Sequence, residues 1–437
     1  MAASRSGPSG ILGTAGRRAD RLFALVPVAL LTAALAGCAP PPSDHTDRDM
    51  TLLPRQPESA DTDRLAKENA QFAAGLLREL SRAQEKNIFF SPHSISTAMA
   101  MVWAGSKAQT EEAIARTMRW SAGQDGTHDS FAAMANLLSP PRDDESGKLL
   151  YDWTSANRLW TSIRVLDPFN QRLTESYASD AQVLDFSDKQ QAAEQINAWA
   201  EKWTRGHIDQ IVKPEDLTDI RLVLTNAVYF KGTWVKPFPT DQTRDEPFVT
   251  STGATVQVPM MHDKRRVDYV AGDGYRAVSL PYKGGVSCML ILPDEGGMDQ
   301  LIMGLSAESL GGMRADMRPA EVRLAIPKLS VQTRFSAKEP LQAMGMGIAF
   351  SPAADFSGIT TAEPLAISDV FHAATIDLDE VGTIATAVTA ISVEVTSATP
   401  GGVIEFRLDR PYVLVITHEA TGEVLFLGRI NNPASRS

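Results

Sequence analysis

Residues 380 to 402 read EVGTIATAVTAISVEVTSATPGG and follow the short acidic run Asp377-Leu378-Asp379-Glu380. Between Val381 and Gly402 the only charged residue is Glu394, and most of the others are small or β-branched. An uncharged, β-forming segment of this length is an aggregation hazard when it lies exposed. It has to be a buried strand, a linker, or a segment that changes place. Residues 392–402 drift into polar, Pro- and Gly-containing loop composition, and Gly382 after the acids reads as a hinge. These features count against a permanent core strand.

The rest of the chain sets the context. Its 437 residues are 43% hydrophobic and 22% charged, as in an ordinary globular protein, with a net charge of −11. That charge opposes binding to nucleic acid, and no basic patch with interleaved aromatics offsets it. At the N-terminus, Arg17, Arg18 and Arg21 precede the apolar run Leu22 to Ala36, which a proline interrupts and which is short for a membrane span. The run ends in Leu35-Ala36-Gly37-Cys38, a pattern that resembles a bacterial lipoprotein signal. Residues 1–37 are then a signal peptide, 38–63 a Pro- and Asp-rich tether lipidated at Cys38, and 64–437 the folded domain. An ordinary secretory signal with a chance cysteine is the alternative. The second cysteine, Cys288 in VSCMLIL, reads as a buried, inert thiol.

Helical spacing of Leu65, Asn69, Phe72, Leu76 and Leu80 predicts an amphipathic first helix with Asp63 as its cap. Ser91-Pro92 opens a second helix, apolar on nearly all sides and therefore buried. Gln109–Met118 and residues 191–208 are further helices. Residues 221–234 (RLVLTNAVYFKGTW) form a strand running to a Gly turn, and Val267–Leu292 two strands around PYKGG. Residues 322–335 (VRLAIPKLSVQTRF) form one strand, LQAMGMGIAF a short helix, and residues 413–430 a hairpin with His418-Glu419 in its solvated turn. Helices dominate the first half and strands the second, without βαβ alternation. This pattern predicts one α+β domain, helices packed on large, mainly antiparallel sheets.

No G-x-S-x-G elbow, H-E-x-x-H helix, zinc-spaced Cys/His set or dinucleotide fingerprint is present. The sequence therefore gives an enzyme no positive support, and it calls for no metal or cofactor.

Several ordered motifs carry a resemblance. They are Asn87-Ile-Phe-Phe-Ser-Pro-His-Ser94, Leu224–Trp234, Asp294-Glu295 in LPDEGG, IPKLS at 326–330, DFSGIT at 355–360, the Glu380-Val-Gly-Thr383 hinge and the final FLGRINNP. Together they resemble the serpin family, in its inhibitory bacterial form, from about residue 64 to 433. The resemblance implies an exposed reactive-centre loop at about 382–402. A serine protease attacks it, forms an acyl-enzyme, and is trapped when the cleaved loop inserts into the main sheet.

The loop suits that task. Thr383, Ala385, Ala387 and Thr389 form an alternating set of small uncharged residues, and no proline interrupts 383–399. Family spacing from the Glu380–Gly382 hinge puts the reactive bond at Thr396–Ser397, within the window Val393 to Thr399. The small residues there disfavour a trypsin-like target and fit an elastase-like or subtilisin-like one. Ser91, Ser94, Asn226 and His372 match the family's polar cluster beneath the opening sheet, and Trp234 matches the place where the loop first enters. The implied protein is a monomeric inhibitor, extracytoplasmic or lipid-anchored to a bacterial envelope, with a covalently trapped serine protease as partner. No heparin-like activator is expected, because residues 106–130 lack a basic cluster. The alternative within the family is a non-inhibitory binding or chaperone-like module.

Overall fold

The computed structural model describes residues 61–83, 85–383 and 402–436. Cys38 and residues 384–401, which include Ala385, Ala387, Thr389 and the window 393–399, lie outside the described residues. Nine α-helices occur among those described: α1 (Thr62–Ala83), α2 (Pro92–Trp103), α3 (Ala108–Met118), α4 (Gly123–Leu137), α5 (Asp167–Tyr177), α6 (Lys189–Trp203), α7 (Met298–Gly304), α8 (Ala307–Asp316) and α9 (Lys338–Leu341). The first strands are β1 (Ile88–Phe90), β2 (Tyr151–Thr161), β3 (Ala181–Val183), β4 (Leu222–Thr233), β5 (Arg244–Val249), β6 (Thr255–Gly272), β7 (Tyr275–Tyr282) and β8 (Val286–Pro293). Then follow β9 (Arg318–Pro327), β10 (Leu329–Ser336), β11 (Asp369–Leu378), β12 (Gly382–Thr383), β13 (Ile404–Arg407), β14 (Tyr412–His418) and β15 (Val424–Ile430).

Two sheets organise them. One has the order β1-β15-β14-β8-β7-β6-β9-β13, with β5 added on β6; the other runs β10-β11-β12-β4-β2-β3. Most pairings are antiparallel; β2 with β3, β4 with β11, and β9 with β13 are parallel. The main core lies between the sheets and around α1 and α2, and contains Phe72, Met99, Trp103, Phe230 and Phe426. A second, smaller core fills the outer face of the six-stranded sheet under α6, with Trp160, Ile196, Ala227 and Ala373.

Local chemistry explains the elements. Ser91 caps α2: its hydroxyl accepts from the Ser94 N–H at 3.2 Å, and Pro92 occupies the first turn. Helix α2 is buried almost all round because it threads between the sheets. Helix α1 starts two residues earlier than its spacing suggested. Asp61 is the residue whose carboxylate accepts from the Arg64 N–H, at 2.9 Å, and Asp63 lies within the first turn.

Three further expectations are corrected. Residues 322–335 are two strands in different sheets, β9 and β10, because the chain bends at Pro327-Lys328. The stretch from Val267 begins inside β6, so three strands cross it. His418 is buried: it ends β14, and its Nδ1 lies 3.0 Å from Thr421 Oγ1. LQAMGMGIAF is helical as expected but irregular: the end of α9, a π turn over Gln342–Met346 and a 3-10 turn over Gly347–Phe350, kinked where Gly345 takes φ +114°.

Candidate functional site

The acidic run and Gly382 form a tight hairpin between β11 and β12. The Asp379 carboxylate accepts from the N–H groups of Val381 (2.9 Å) and Gly382 (3.1 Å), and the Asp379 N–H donates to the Gly382 carbonyl at 2.7 Å. Gly382 has φ +153°, and a Cβ there would collide with the Gly232 carbonyl, so only glycine fits. Thr383 then lies between two strands, opposite Leu378 of β11 and Gly232 of β4. Its side chain is fully buried on the inner face, where its hydroxyl is 2.8 Å from Tyr282 Oη.

Trp234 closes the hinge from above. Its ring stacks on Tyr282 with centroids 4.0 Å apart, its indole N–H donates to the Asp379 carbonyl at 2.9 Å, and its backbone N–H donates to Val381. Glu380 is buried to 8% exposure, and its carboxylate accepts from Lys328 Nζ and Thr243 Oγ1, each at 2.8 Å. Burial alone would raise its pKa, but these partners outweigh it and hold the carboxyl below its usual value.

Below Thr383 the β4–β11 seam closes. Residues 223–229 of β4 pair in parallel with 369–375 of β11, leaving no slot between them. One rung of that seam is polar. Asn157 of β2, Asn226 of β4 and His372 of β11 lie side by side in register. His372 Nε2 accepts from the Ser91 N–H at 3.2 Å, so Nδ1 carries the proton and donates to Asn226 Oδ1. The Asn226 amide nitrogen donates to Ser94 Oγ and Asn157 Oδ1, and Ser94 Oγ then donates to Ser155 Oγ at 2.6 Å. Burial pushes the His372 pKa down to about 3, keeping the ring neutral.

The structure therefore brings Ser91, Ser94, Asn226 and His372 into one network, and Glu380, Gly382, Thr383 and Trp234 into one hinge. Sequence reasoning missed Ser155 and Asn157 in the network, and Tyr282, Thr243 and Lys328 at the hinge. Lys328 was visible only as part of IPKLS, where a lysine looks solvated.

No cluster of metal-ligating side chains occurs among the described residues. A cleft of about 1050 Å³ is lined by Asp294, Glu295, Arg407, Asp409, Arg410 and Arg429, among others, and none of its lining residues belongs to the hinge or the seam.

Residues 67–433 match the family described as Serpin (serine protease inhibitor). An alpha-1-antitrypsin-like protein of Tamias sibiricus is 34% identical, covering 93% of this chain and 98% of its own length. An uncharacterised serpin-like protein of Thermococcus kodakarensis is 36% identical over 83% of this chain and 84% of its own. Among solved structures, human thyroxine-binding globulin complexed with thyroxine superposes with a TM-score of 0.76 at 27% identity, covering 86% of this chain and 100% of its own. Human kallistatin gives 0.76 at 28%, covering 86% and 99%. The chain belongs to the serpin family, which is described by protease inhibition and not by an enzymatic activity.

Proposed function

We propose that this serpin is an inhibitor of a serine protease with a small or shallow primary pocket, elastase-like or subtilisin-like, acting once per molecule by loop insertion. The observation that carries the reading is the hinge. Gly382 and Thr383 already form a rung between β11 and β4, with the Thr383 side chain inward. Continuing that antiparallel register gives every later residue an address. Residues 385, 387 and 389 fall on the inner face with Thr383, and Thr389 falls on the rung of Asn226 and His372. Ala385 and Ala387 meet apolar rungs, Thr389 meets the polar one, and the Thr383 hydroxyl at the hinge is met by Tyr282 Oη. A new strand there must break the His372–Asn226 bond, and the Thr389 hydroxyl is the group able to re-satisfy both partners.

The energetics suit the task. About ten new rungs at roughly 0.5–1.5 kcal/mol each give on the order of 10 kcal/mol, comparable with the stability of a whole domain. The scissile bond is assigned to Thr396–Ser397 on spacing, and residence outside the cytoplasm, held by lipid on Cys38, on the signal-like N-terminus.

Mixing the protein with an elastase or a subtilisin is expected to give an SDS-resistant complex and release of the peptide C-terminal to the cut. Clean cleavage without a complex, matching a non-inhibitory serpin, would sink the proposal. Thr383→Arg is expected to convert inhibitor to substrate, because a guanidinium cannot enter the inner face unpaired; full inhibition by that variant would refute insertion.

A further inference from the structure

We infer that Arg221, where the seam between β4 and β11 ends, is the docking residue for Glu394 once the cut loop has entered the sheet. The inference rests on the insertion reading above and names the group that receives the far end of the new strand.

The lower end of the seam is stapled by Ser368. Its N–H donates to the Leu222 carbonyl at 2.8 Å, and its hydroxyl accepts from the Arg221 N–H at 3.0 Å. Its carbonyl accepts from Lys338 Nζ at 2.9 Å. The ladder between β2 and β4 runs on past Leu222, because the Arg221 carbonyl accepts from the Ser162 N–H at 3.0 Å. Residue 221 is thus held on both sides, although it stands one place before β4. The Arg221 side chain is exposed, and its guanidinium donates to the Glu363 carboxylate. An arginine that already holds one carboxylate at the surface therefore marks the end of the path open to an entering strand.

Register fixes what arrives there. Thr383 stands opposite Gly232 of β4 and Leu378 of β11. Glu394 lies eleven residues farther along the loop, and eleven residues back along the two neighbours lie Arg221 and Ile367. The parallel pairing of Val223 with Asp369, two residues above, leads to the same two positions. Glu394 itself lies outside the described residues, so its address comes from this count. Residues directly opposite on antiparallel strands project to the same face, which brings the Glu394 carboxylate beside the Arg221 guanidinium. An odd separation from Thr383 makes that face the outer one, in keeping with the exposure of Arg221.

Charge makes the pairing selective. Glu394 is the only charged residue between Val381 and Gly402, and β4 carries no charged side chain from Leu222 to Phe230. On the other side Ile367 is apolar and buried. The one carboxylate of the loop therefore falls to the arginine at the foot of β4. A guanidinium has five N–H donors, enough for Glu394 and Glu363 together. Without Arg221 the two acids are left as neighbouring like charges. An exposed ion pair contributes little by itself, but this one forms only in the cut chain, two residues before Thr396 of the proposed scissile bond. Withdrawal of the strand end, the step that would free a trapped protease, has to break it.

The test reads where residue 394 comes to rest. Paired positions on antiparallel strands lie within reach of a disulfide. In a chain carrying Glu394→Cys and Arg221→Cys, oxidised glutathione is expected to join the two cysteines after a limited subtilisin cut and not before it. Mass spectrometry identifies the joined peptides. A second measurement follows the SDS-resistant complex with subtilisin. Arg221→Gln and Glu394→Gln are each expected to make it decay about 1.5- to 5-fold faster, the range of an exposed ion pair. The double variant should decay no faster than either single one, and Arg221→Lys, which keeps the charge, should recover most of the lifetime. A cut chain that gains thermal stability but forms no cross-link overturns the address of Glu394. Unchanged decay in Arg221→Gln, or losses that add in the double variant, would overturn the docking. A cut chain that gains no stability and forms no cross-link overturns the insertion reading as well. A cross-link without any protease complex upholds Arg221 and overturns only the inhibitor reading.

Discussion

The Glu380 carboxylate accepts from Lys328, at the bend where the chain passes from β9 to β10, and from Thr243, just before β5. Its backbone carbonyl accepts from the Phe238 N–H at 2.7 Å. One residue at the root of the loop thus ties together the bend between the sheets and the segment that follows β4. Glu380→Lys sets two ammonium groups against each other and removes both side-chain bonds. It is expected to lower the stability of the intact protein by about 1–3 kcal/mol, the scale of hydrogen bonds to a charged group. Denaturant midpoints read the change, and Lys328→Glu in the same chain should restore part of it; no recovery in the double variant would show that the two side chains act separately. Thr389→Val keeps the volume of the side chain but removes its hydroxyl. It is expected to leave the uncut protein unchanged and to destabilise the cleaved form by about 1–3 kcal/mol, because Asn226 and His372 would then face an apolar group. Equal losses in both forms would contradict the register.

Within the elements, legibility followed periodicity. Helix α2 was readable because eleven of its twelve residues are buried and its cap is local, Ser91 followed by Pro92. The β14–β15 hairpin was readable because a polar turn separates two apolar runs. The β9–β10 switch was passed over because its mark is slight: at Pro327-Lys328 the apolar alternation only changes phase, from Val322, Leu324 and Ile326 to Leu329 and Val331. Ser155 and Asn157 were overlooked for a related reason: a polar residue on a strand looks outward-facing until the buried face is known. His372 and Asn226 were named through the family's motif, and the structure adds why polar residues suit that rung, which joins β2, β4, β11 and α2.

The same network makes stability depend on pH. Folded His372 titrates at about 3, whereas an unfolded histidine does so at about 6.5. As pH falls, the unfolded chain takes up the proton first. The contribution of His372 is therefore complete above about pH 6.5 and is lost progressively toward pH 3, at about 1.4 kcal/mol per unit. His128, also buried and lowered to about 3, acts in the same direction. His372→Gln is expected to flatten the slope of unfolding free energy between pH 6 and 4 by about one proton's worth. An unchanged slope would mean that His372 charges in the folded state.

Across the whole molecule, the intact chain keeps β4 and β11 paired to each other, and the proposed mechanism replaces that pairing with two. Cleavage of the loop is then expected to raise the unfolding temperature by about 10 °C or more, given roughly 10 kcal/mol of new pairing. Differential scanning calorimetry before and after a limited subtilisin cut measures it. Thr383→Arg should show no such rise, and a rise in that variant as large as in the unmodified chain would detach the stabilisation from insertion.

β4 and β11 run in the same direction, and β12 runs against both. A strand that continues β12 meets each neighbour in the opposite sense, so one slanted parallel ladder would become two straight antiparallel ones, the slightly more stable kind. Strand direction thereby gives the molecule an arrow of time. Reversal would exchange two antiparallel ladders for one parallel ladder rung by rung, giving up more pairing at each rung than it regains. The device is a ratchet with a single tooth, its pawl set by which way two neighbouring strands happen to point.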